Sequence, residues 1–356
     1  MAGKVRMAAS ALNRIVALVS IVVLTLGVSG CKREVTQLTS AWPVAVMERI
    51  VPQPPEPARW PYRGTEAPDD RAIKKRPLSV KIENSPASRP QTGLNSADVV
   101  YESVTEGGIT RFNCIFQSDV PSDIGPVRSA RFSDLWIVPQ YDGLFFFSGA
   151  SSTVNRAVNA SKIPNLSEDA GVSAPYYRSS SRSAPHNLYL DSKKGYAEAK
   201  KRGYGVTAVL EPLQYDKRRS AETTVEVSEL SIPFSQANKV RWEFDEDAGK
   251  WLRWNNGKVH KDAETGKQVA ADNVVVLWAK YTPKSRDKVG SVTYDIGLGG
   301  KGKATIFKHG RRYDVTWSAD RDTPPRFKDA DGKTVRLAPG TTWFQVIALD
   351  VNITMK

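Results

Sequence analysis

Along residues 77–215 apolar positions recur in short runs of period two and then at wider spacing, which predicts strands interleaved with helices. Leu78-Ser79-Val80-Lys81-Ile82 alternates, as do 99–104 and 109–116, so three strands are expected there. Gly107-Gly108 falls between the last two runs, where a hairpin would turn. After a loop over 120–127, the spacing predicts a helix over 129–137, then a dense apolar strand, Leu144-Phe145-Phe146-Phe147, and helices over 152–160 and 192–202. This interleaving predicts an N-terminal α/β layer domain over 77–215.

Beyond residue 230 the helical period disappears. Runs at 240–244 and 250–254 flank Asp245-Glu246-Asp247-Ala248-Gly249, a hairpin by local turn chemistry. Further strands are expected at 273–281, 291–296, 304–308, 313–317, 334–337 and 342–349, and Asn256-Gly257 and Asp331-Gly332 supply tight turns. The expected fold class is therefore α+β: the α/β layer domain followed by a smaller all-β, antiparallel C-terminal domain over 230–350. Six of the nine tryptophans lie in this second part, either as core bulk or as an exposed platform for sugar rings. The run Gly297-Leu298-Gly299-Gly300-Lys301-Gly302-Lys303 sits between strand candidates and reads as a flexible loop rather than a phosphate cradle.

Ahead of these domains, Lys4, Arg6 and Arg14 precede an apolar stretch over 15–26 and then Val28-Ser29-Gly30-Cys31. A charged start, a short apolar segment and small residues before a cysteine make a lipoprotein signal over 1–30, with lipid attached to Cys31. The apolar segment is short for a bilayer span. Residues 31–76, punctuated by Pro52, Pro54, Pro55, Pro57, Pro61 and Pro68, read as an extended linker. The expected location is extracytoplasmic and membrane-anchored, at the cell membrane or at an outer membrane where one exists.

That location changes how charge and cysteines are read. The formal net charge is +13, and about +10 once the three basic signal residues are removed, which favours anionic partners such as phospholipid headgroups or envelope polymers. Nucleic acid is not an expected partner outside the cytoplasm. With Cys31 used by the anchor, Cys114 has no disulfide partner and falls in the apolar alternation Phe112, Cys114, Phe116, as a buried small hydrophobe would. Three histidines, at 186, 260 and 309, with no spaced Cys/His cluster, predict no metal site and no cofactor.

Candidate chemistry gathers in the first domain. Glu102, Glu106 and Arg111 straddle the hairpin turn, and Ile124-Gly125-Pro126-Val127-Arg128-Ser129-Ala130-Arg131 leads into the expected helix. On a first helical turn Arg128 and Arg131 would point the same way and, with Ser129, could cradle an oxyanion. The alternative is that they pair internally with Glu102, Glu106 or Asp134. A second cluster, Arg178, Arg182 and Ala184-Pro185-His186-Asn187, offers His186 as a base or anchor and Asn187 as a polar partner. No G-x-S-x-G elbow or Walker loop is present.

Arg89-Pro90-Gln91-Thr92-Gly93-Leu94, Ala97-Asp98-Val99-Val100-Tyr101-Glu102, Glu106-Gly107-Gly108-Ile109-Thr110-Arg111-Phe112, the 124–131 loop and Ala184-Pro185-His186-Asn187 resemble the motifs of the YerB-like bacterial lipoproteins. Val315-Thr316-Trp317, Asp331-Gly332-Lys333 and Leu337-Ala338-Pro339-Gly340-Thr341-Thr342-Trp343 resemble that family's second domain. The resemblance implies a lipoprotein without an established activity. A weaker likeness, to the LytR-CpsA-Psr glycopolymer transferases, lies in the order of an Asp-bearing strand, a second strand and a loop with proline and arginine. The loop here has Arg128-Ser129 where that family has an arginine-aspartate pair.

Two functions stand open. One is a lipid-tethered binding module for an anionic glycan, a phosphate-bearing ligand or an envelope protein, with Glu106, Arg111, Arg128, Ser129, Arg131 and Asn187 as ligand-binding residues. The other is an enzyme acting on polyprenyl-pyrophosphate-linked glycopolymers, with Asp98, Glu102 and His186 as catalytic candidates and a divalent metal as its cofactor. Catalysis requires these groups to converge on one cleft.

Overall fold

The computed structural model describes residues 56–216, 224–286 and 290–356. The signal over 1–30, the lipid site at Cys31 and the linker as far as residue 55 lie outside the described residues.

Asn273–Ala279 is buried at every position, so it offers water no face and must be covered on both sides. It sits near the middle of a 10-stranded sheet. From one edge the order is Thr323–Lys328, Arg311–Asp320, Gly300–Lys308, Asn273–Ala279, Thr342–Ala348, Val99–Val104, Thr110–Phe116, Leu78–Glu83 and Leu144–Phe146. The short strand Val225–Glu226 pairs with Arg311–Asp320. At the centre Val99–Val104 runs parallel to Thr342–Ala348, with Glu102 opposite Gln345. Thr342–Ala348 in turn runs parallel to Asn273–Ala279. The two halves of the sequence thus share one sheet, and Pro55–Lys356 forms one compact unit.

The molecule is mostly β with few helices, which corrects the expected α/β layer domain. Asp134–Gln140, Ser152–Asn159 and Ser192–Lys201 have 7, 8 and 10 residues, so each spans only about 10–15 Å and none can blanket a parallel sheet. The C-terminal half is β-rich but not purely antiparallel, because Asn273–Ala279 and Thr342–Ala348 pair in parallel. Alternation reveals strands; it carries no information on which distant strand they meet.

Each face of the sheet carries its own core. On one face Val100, Phe112, Cys114 and Trp343 pack with Trp242 and Trp251. The latter two come from a second sheet built of Lys258–Val259, Lys250–Asn255, Lys239–Asp245, Glu229–Pro233 and Thr354–Met355, with Ala270–Ala271 alongside. Trp242 and Trp343 meet edge to face at 5.3 Å. Five of the six C-terminal tryptophans are buried, and Trp254 is half-buried beneath the Arg241 guanidinium at 4.5 Å, so they supply core bulk rather than a sugar platform. On the opposite face Tyr101, Ile115 and Phe344 pack with Ile137 and Tyr141. Cys114 is buried and unpaired as expected, and burial pushes its thiol up.

Four local expectations are corrected. Residues 56–76 are not linker: Tyr62 is buried and donates to the Tyr141 carbonyl at 3.2 Å, while Gln117 donates to the Ile73 and Lys75 carbonyls at 2.9 Å each. The helix expected over 129–137 starts only at Asp134; residues 128–130 instead run beside neighbouring backbone, the Arg128 and Ala130 amides donating to the Lys81 and Gly149 carbonyls. No strand forms over 334–337, whereas Thr323–Lys328 does, its Pro324-Pro325 tolerated at the sheet edge. The glycine-rich run is not a free loop, since Gly300–Lys308 is a strand. A Cβ at Gly302 would lie 2.7 Å from the Trp317 ring, and one at Gly299 2.3 Å from Trp136. These glycines admit the tryptophans.

Gly299→Ala is therefore expected to cost about 1–3 kcal/mol through overpacking against Trp136. Urea unfolding measures this, and an unchanged midpoint would show that the indole swings aside freely.

Candidate functional site

Period two divides the charged residues of the three N-terminal strands between the two faces of the sheet. Glu83 stands directly opposite Arg111, and Lys81 opposite Asn113, so these four share one face. Glu102 stands opposite Phe112 and points to the other.

On the first face a cluster of five charged groups forms. Glu106 Oε2 accepts from Arg131 Nε at 2.9 Å and from Arg131 Nη2, and from Arg111 Nη1 at 3.3 Å. Its other oxygen accepts from Thr293 at 2.8 Å. Glu83 Oε2 lies 2.9 Å from His186 Nδ1 and 3.4 Å from Arg128 Nε. Beneath, Lys81 Nζ and Asn113 Nδ2 donate to Asp134 Oδ1 at 2.8 and 2.9 Å, fastening the start of the short helix to the sheet.

The arginines are not equivalent. Arg131 is spent, since its third nitrogen donates to its own neighbour's carbonyl, that of Ala130, at 2.6 Å. Arg111 is buried, yet its Nε has no hydrogen-bond partner. Arg128 makes no hydrogen bond through its side chain among the described residues, and a quarter of that side chain is exposed. Ser129 lies half-buried beside it, 3.6 Å from where a Cβ on Gly149 would be. Arg128 and Arg131 therefore do not share a helical turn as expected; each goes to a different carboxylate. Three guanidinium groups face two carboxylates here, leaving donors unfilled at Arg111 and Arg128.

The three catalytic candidates do not converge. Asp98 accepts from the Gln117 and Ser118 amides at 2.7 and 2.9 Å, from the Ser118 hydroxyl and from Arg63 at 3.4 Å; it fastens a loop. Burial pushes its carboxyl up, against the pull of Arg63 and these donors. His186 contacts both Glu83 and Ser85, the latter at 3.4 Å, through the same Nδ1, so it cannot relay a proton between them as a nucleophile's base would. Asn187 is a loop staple, accepting from Arg178 at 2.9 Å and donating to the Ser179 and Arg182 carbonyls, which corrects its expected role in ligand binding.

Glu102 is the centre of a second, buried constellation. Arg253 Nη2 donates to both its oxygens at 2.9 and 2.8 Å, and both side chains are completely buried. Thr110 donates to Glu102 at 2.7 Å, with Asn84 and Asn238 amides at 3.3 and 3.4 Å. The Arg253 guanidinium lies over Trp343, Phe112 and Trp242 at 5.2, 5.5 and 5.8 Å. Its Nη1 meets His260 Nδ1. Arginine can only donate, so Nδ1 accepts and Nε2–H donates to Gln91 Oε1, 2.7 Å away. Both Asp98 oxygens thus accept two hydrogen bonds each, and Glu102 is closed off in a fully buried ion pair. Sequence reasoning missed Glu83, Lys81 and Arg253; the available signal was Arg253 itself, a charge at an inward position of the alternation Trp251, Arg253, Asn255.

Models of the N-terminal and C-terminal domains of a protein of unknown function (DUF3048) match residues 63–205 and 230–344. The chain belongs to this YerB-like, two-domain family. Among relatives, a protein of Bacillus subtilis (strain 168) whose name gives it as a lipoprotein, YerB, is 29% identical over 302 residues, covering 83% of this chain and 88% of that one. The crystal structure of YerB protein from Bacillus subtilis superposes with a TM-score of 0.75 at 28% identity, over 83% of this chain and 99% of the other. Among the described residues of this YerB-like chain no helix is long and apolar enough to cross a membrane. Its two family segments meet at the Glu102–Arg253 pair.

Arg253→Met should cost about 3–5 kcal/mol, since it strands a buried carboxylate. Adding Glu102→Gln should recover part of that, because the charge goes while the acceptor for Thr110 stays. A loss below about 1 kcal/mol in urea unfolding would refute the assignment.

Burial, then the charges of Arg253 and Arg89, hold His260 well below the usual histidine range. The unfolded histidine gains a proton as pH falls through about 6.5 and the folded one does not, so its stabilising share is present above that pH and is lost below it. The expected slope is up to about 1.4 kcal/mol per pH unit. Thermal melts between about pH 7.5 and 5 should show a shallower decline for His260→Gln; equal slopes would contradict this.

Proposed function

We propose that the protein is an envelope binding module, tethered by lipid at Cys31, that takes a phosphate- or carboxylate-bearing ligand at the charged cluster of Arg111 and Arg128. The observation that carries this reading is the unfilled bonding capacity of those two guanidinium groups. Arg111 Nε is buried without a hydrogen bond, and Arg128 has only a 3.4 Å ion pair to Glu83. A buried donor left unmade costs about 1–3 kcal/mol, which an oxyanion with several acceptor oxygens would return. His186 and Ser129, both part-exposed beside Arg128, would complete the rim.

A binding role is favoured over catalysis because the acid and base candidates are divided between the two faces of the sheet and each is already engaged. The overall positive charge suits an anionic partner. Glu83 and Glu106 compete with any ligand for the arginines, so affinity should be modest and salt-sensitive.

Calorimetric titration with inorganic pyrophosphate and farnesyl pyrophosphate, with and without magnesium, tests this. The wild-type protein should bind, and Arg128→Gln should weaken binding about tenfold, the size of a lost charge-assisted bond, with the circular dichroism spectrum unchanged. No heat at millimolar ligand, or equal affinity in Arg128→Gln, would overturn the reading.

A further inference from the structure

A cavity of about 460 Å³ opens where the two family segments meet, between the Pro86–Pro90 turn and the hairpin that joins Lys250–Asn255 to Lys258–Val259. Its size is that of a small-ligand site. Three cationic side chains line it, Arg89, Lys258 and Lys261, and no carboxylate does. Lys258 stands directly opposite Asn255 across the hairpin.

Hydrogen-bond polarity reaches this cavity from Glu102. A carboxylate only accepts, so the Asn238 amide nitrogen must face it, and it does, at 3.4 Å from Glu102 and 3.1 Å from Thr110. Asn238 Oδ1 is then turned to Asn255, whose nitrogen donates to it at 2.7 Å and to the Lys239 carbonyl at 3.2 Å. Two acceptors fix the Asn255 amide. Its Oδ1 is left buried with no partner, on a residue that lines the cavity. Native proteins seldom leave such an acceptor unmade.

We infer that this cavity is a binding site for an acidic saccharide unit, a sugar ring bearing a phosphate or carboxylate. The anionic group pairs with Lys258, Lys261 and Arg89, and a ring hydroxyl or acetamido N–H donates to Asn255 Oδ1. The rings of Pro86 and Pro90 and the exposed Val259 side chain offer apolar walls to the sugar's C–H faces. Arg89, whose guanidinium burial and the neighbouring Arg253 lower to about 10, gains a counter-ion. This site is separate from the Arg111–Arg128 cluster and does not depend on it.

The test titrates the purified protein with N-acetylglucosamine 1-phosphate and with glucuronic acid, beside N-acetylglucosamine and inorganic phosphate. At least one acidic sugar should bind about tenfold more tightly than either the neutral sugar or phosphate alone, since each fragment lacks one set of contacts. Lys258→Ala with Lys261→Ala should abolish the preference for the acidic sugar. Val259→Trp, at an exposed position, should block the cavity without unfolding the chain. Arg111→Gln with Arg128→Gln should leave this binding unchanged, which separates it from the Arg111–Arg128 cluster. With binding read in the Arg111→Gln, Arg128→Gln protein, the inference is overturned if neither acidic sugar binds at millimolar concentration, if phosphate alone binds equally well, or if adding Val259→Trp or the lysine changes leaves binding as it was.

Discussion

Glu102 and Arg253 lie 151 residues apart and are both removed completely from water. Each charge alone would cost several kcal/mol to bury, so neither family segment can complete its core without the other. The first segment by itself would present an unpaired carboxylate among Val100, Phe112 and Cys114 on an apolar face. The second would bury a guanidinium beneath two tryptophans with no anion. Parallel pairing of Val99–Val104 with Thr342–Ala348 brings the two halves into one sheet, and the ion pair makes that arrangement specific: a one-residue slip would turn Glu102 to the wrong face.

The segment from Glu83 to Gln91 ties both polar systems to this arrangement. Glu83 ends its strand on the face of Arg111 and Arg128, whereas Asn84 turns to Glu102 and Thr110. Arg89 donates to the Asn84 side chain and carbonyl at 2.9 and 2.7 Å, and Gln91 donates to the Glu83 carbonyl at 2.8 Å. Arg182 closes the turn by donating to the Ala87 and Arg89 carbonyls. Arg182 of the 178–187 segment therefore shapes the turn that lines the cavity.

Much of the strand content was legible because it is local. Val240 and Trp242 alternate against Trp251 and Arg253 around an acidic turn ending in Gly249, and that hairpin forms as expected. What was not legible is non-local. The 10-stranded sheet joins strands more than 200 residues apart, and pairing partners leave no periodic trace. Pro324-Pro325 hid an edge strand whose missing amides cost nothing at a border. Arg128 and Arg131 carried helical spacing, but backbone bonds to Lys81 and Gly149 hold their segment against distant backbone instead. Glu102 drew attention as a catalytic acid because it is an acid in an apolar strand; its partner stood in the other half, disguised as one charge in an aromatic alternation.

The same reasoning separates the two cationic regions physically. In the Arg111–Arg128 cluster, Glu83 and Glu106 already neutralise most of the positive charge, so a ligand there must displace or share existing ion pairs, and its net gain is small. The cavity beside Asn255 has no carboxylate on its walls, so an anion entering it meets uncompensated charge. Its single orphaned acceptor is a consequence of the core: acceptor-only Glu102 orients Asn238, and Asn238 orients Asn255. Replacing the ion pair by apolar groups of equal volume would remove that constraint on Asn238, leaving the Lys239 carbonyl to hold Asn255. The buried charge pair thus does two things, holding the halves of the sheet together and dictating which amide atom is left without a partner at the joint between them.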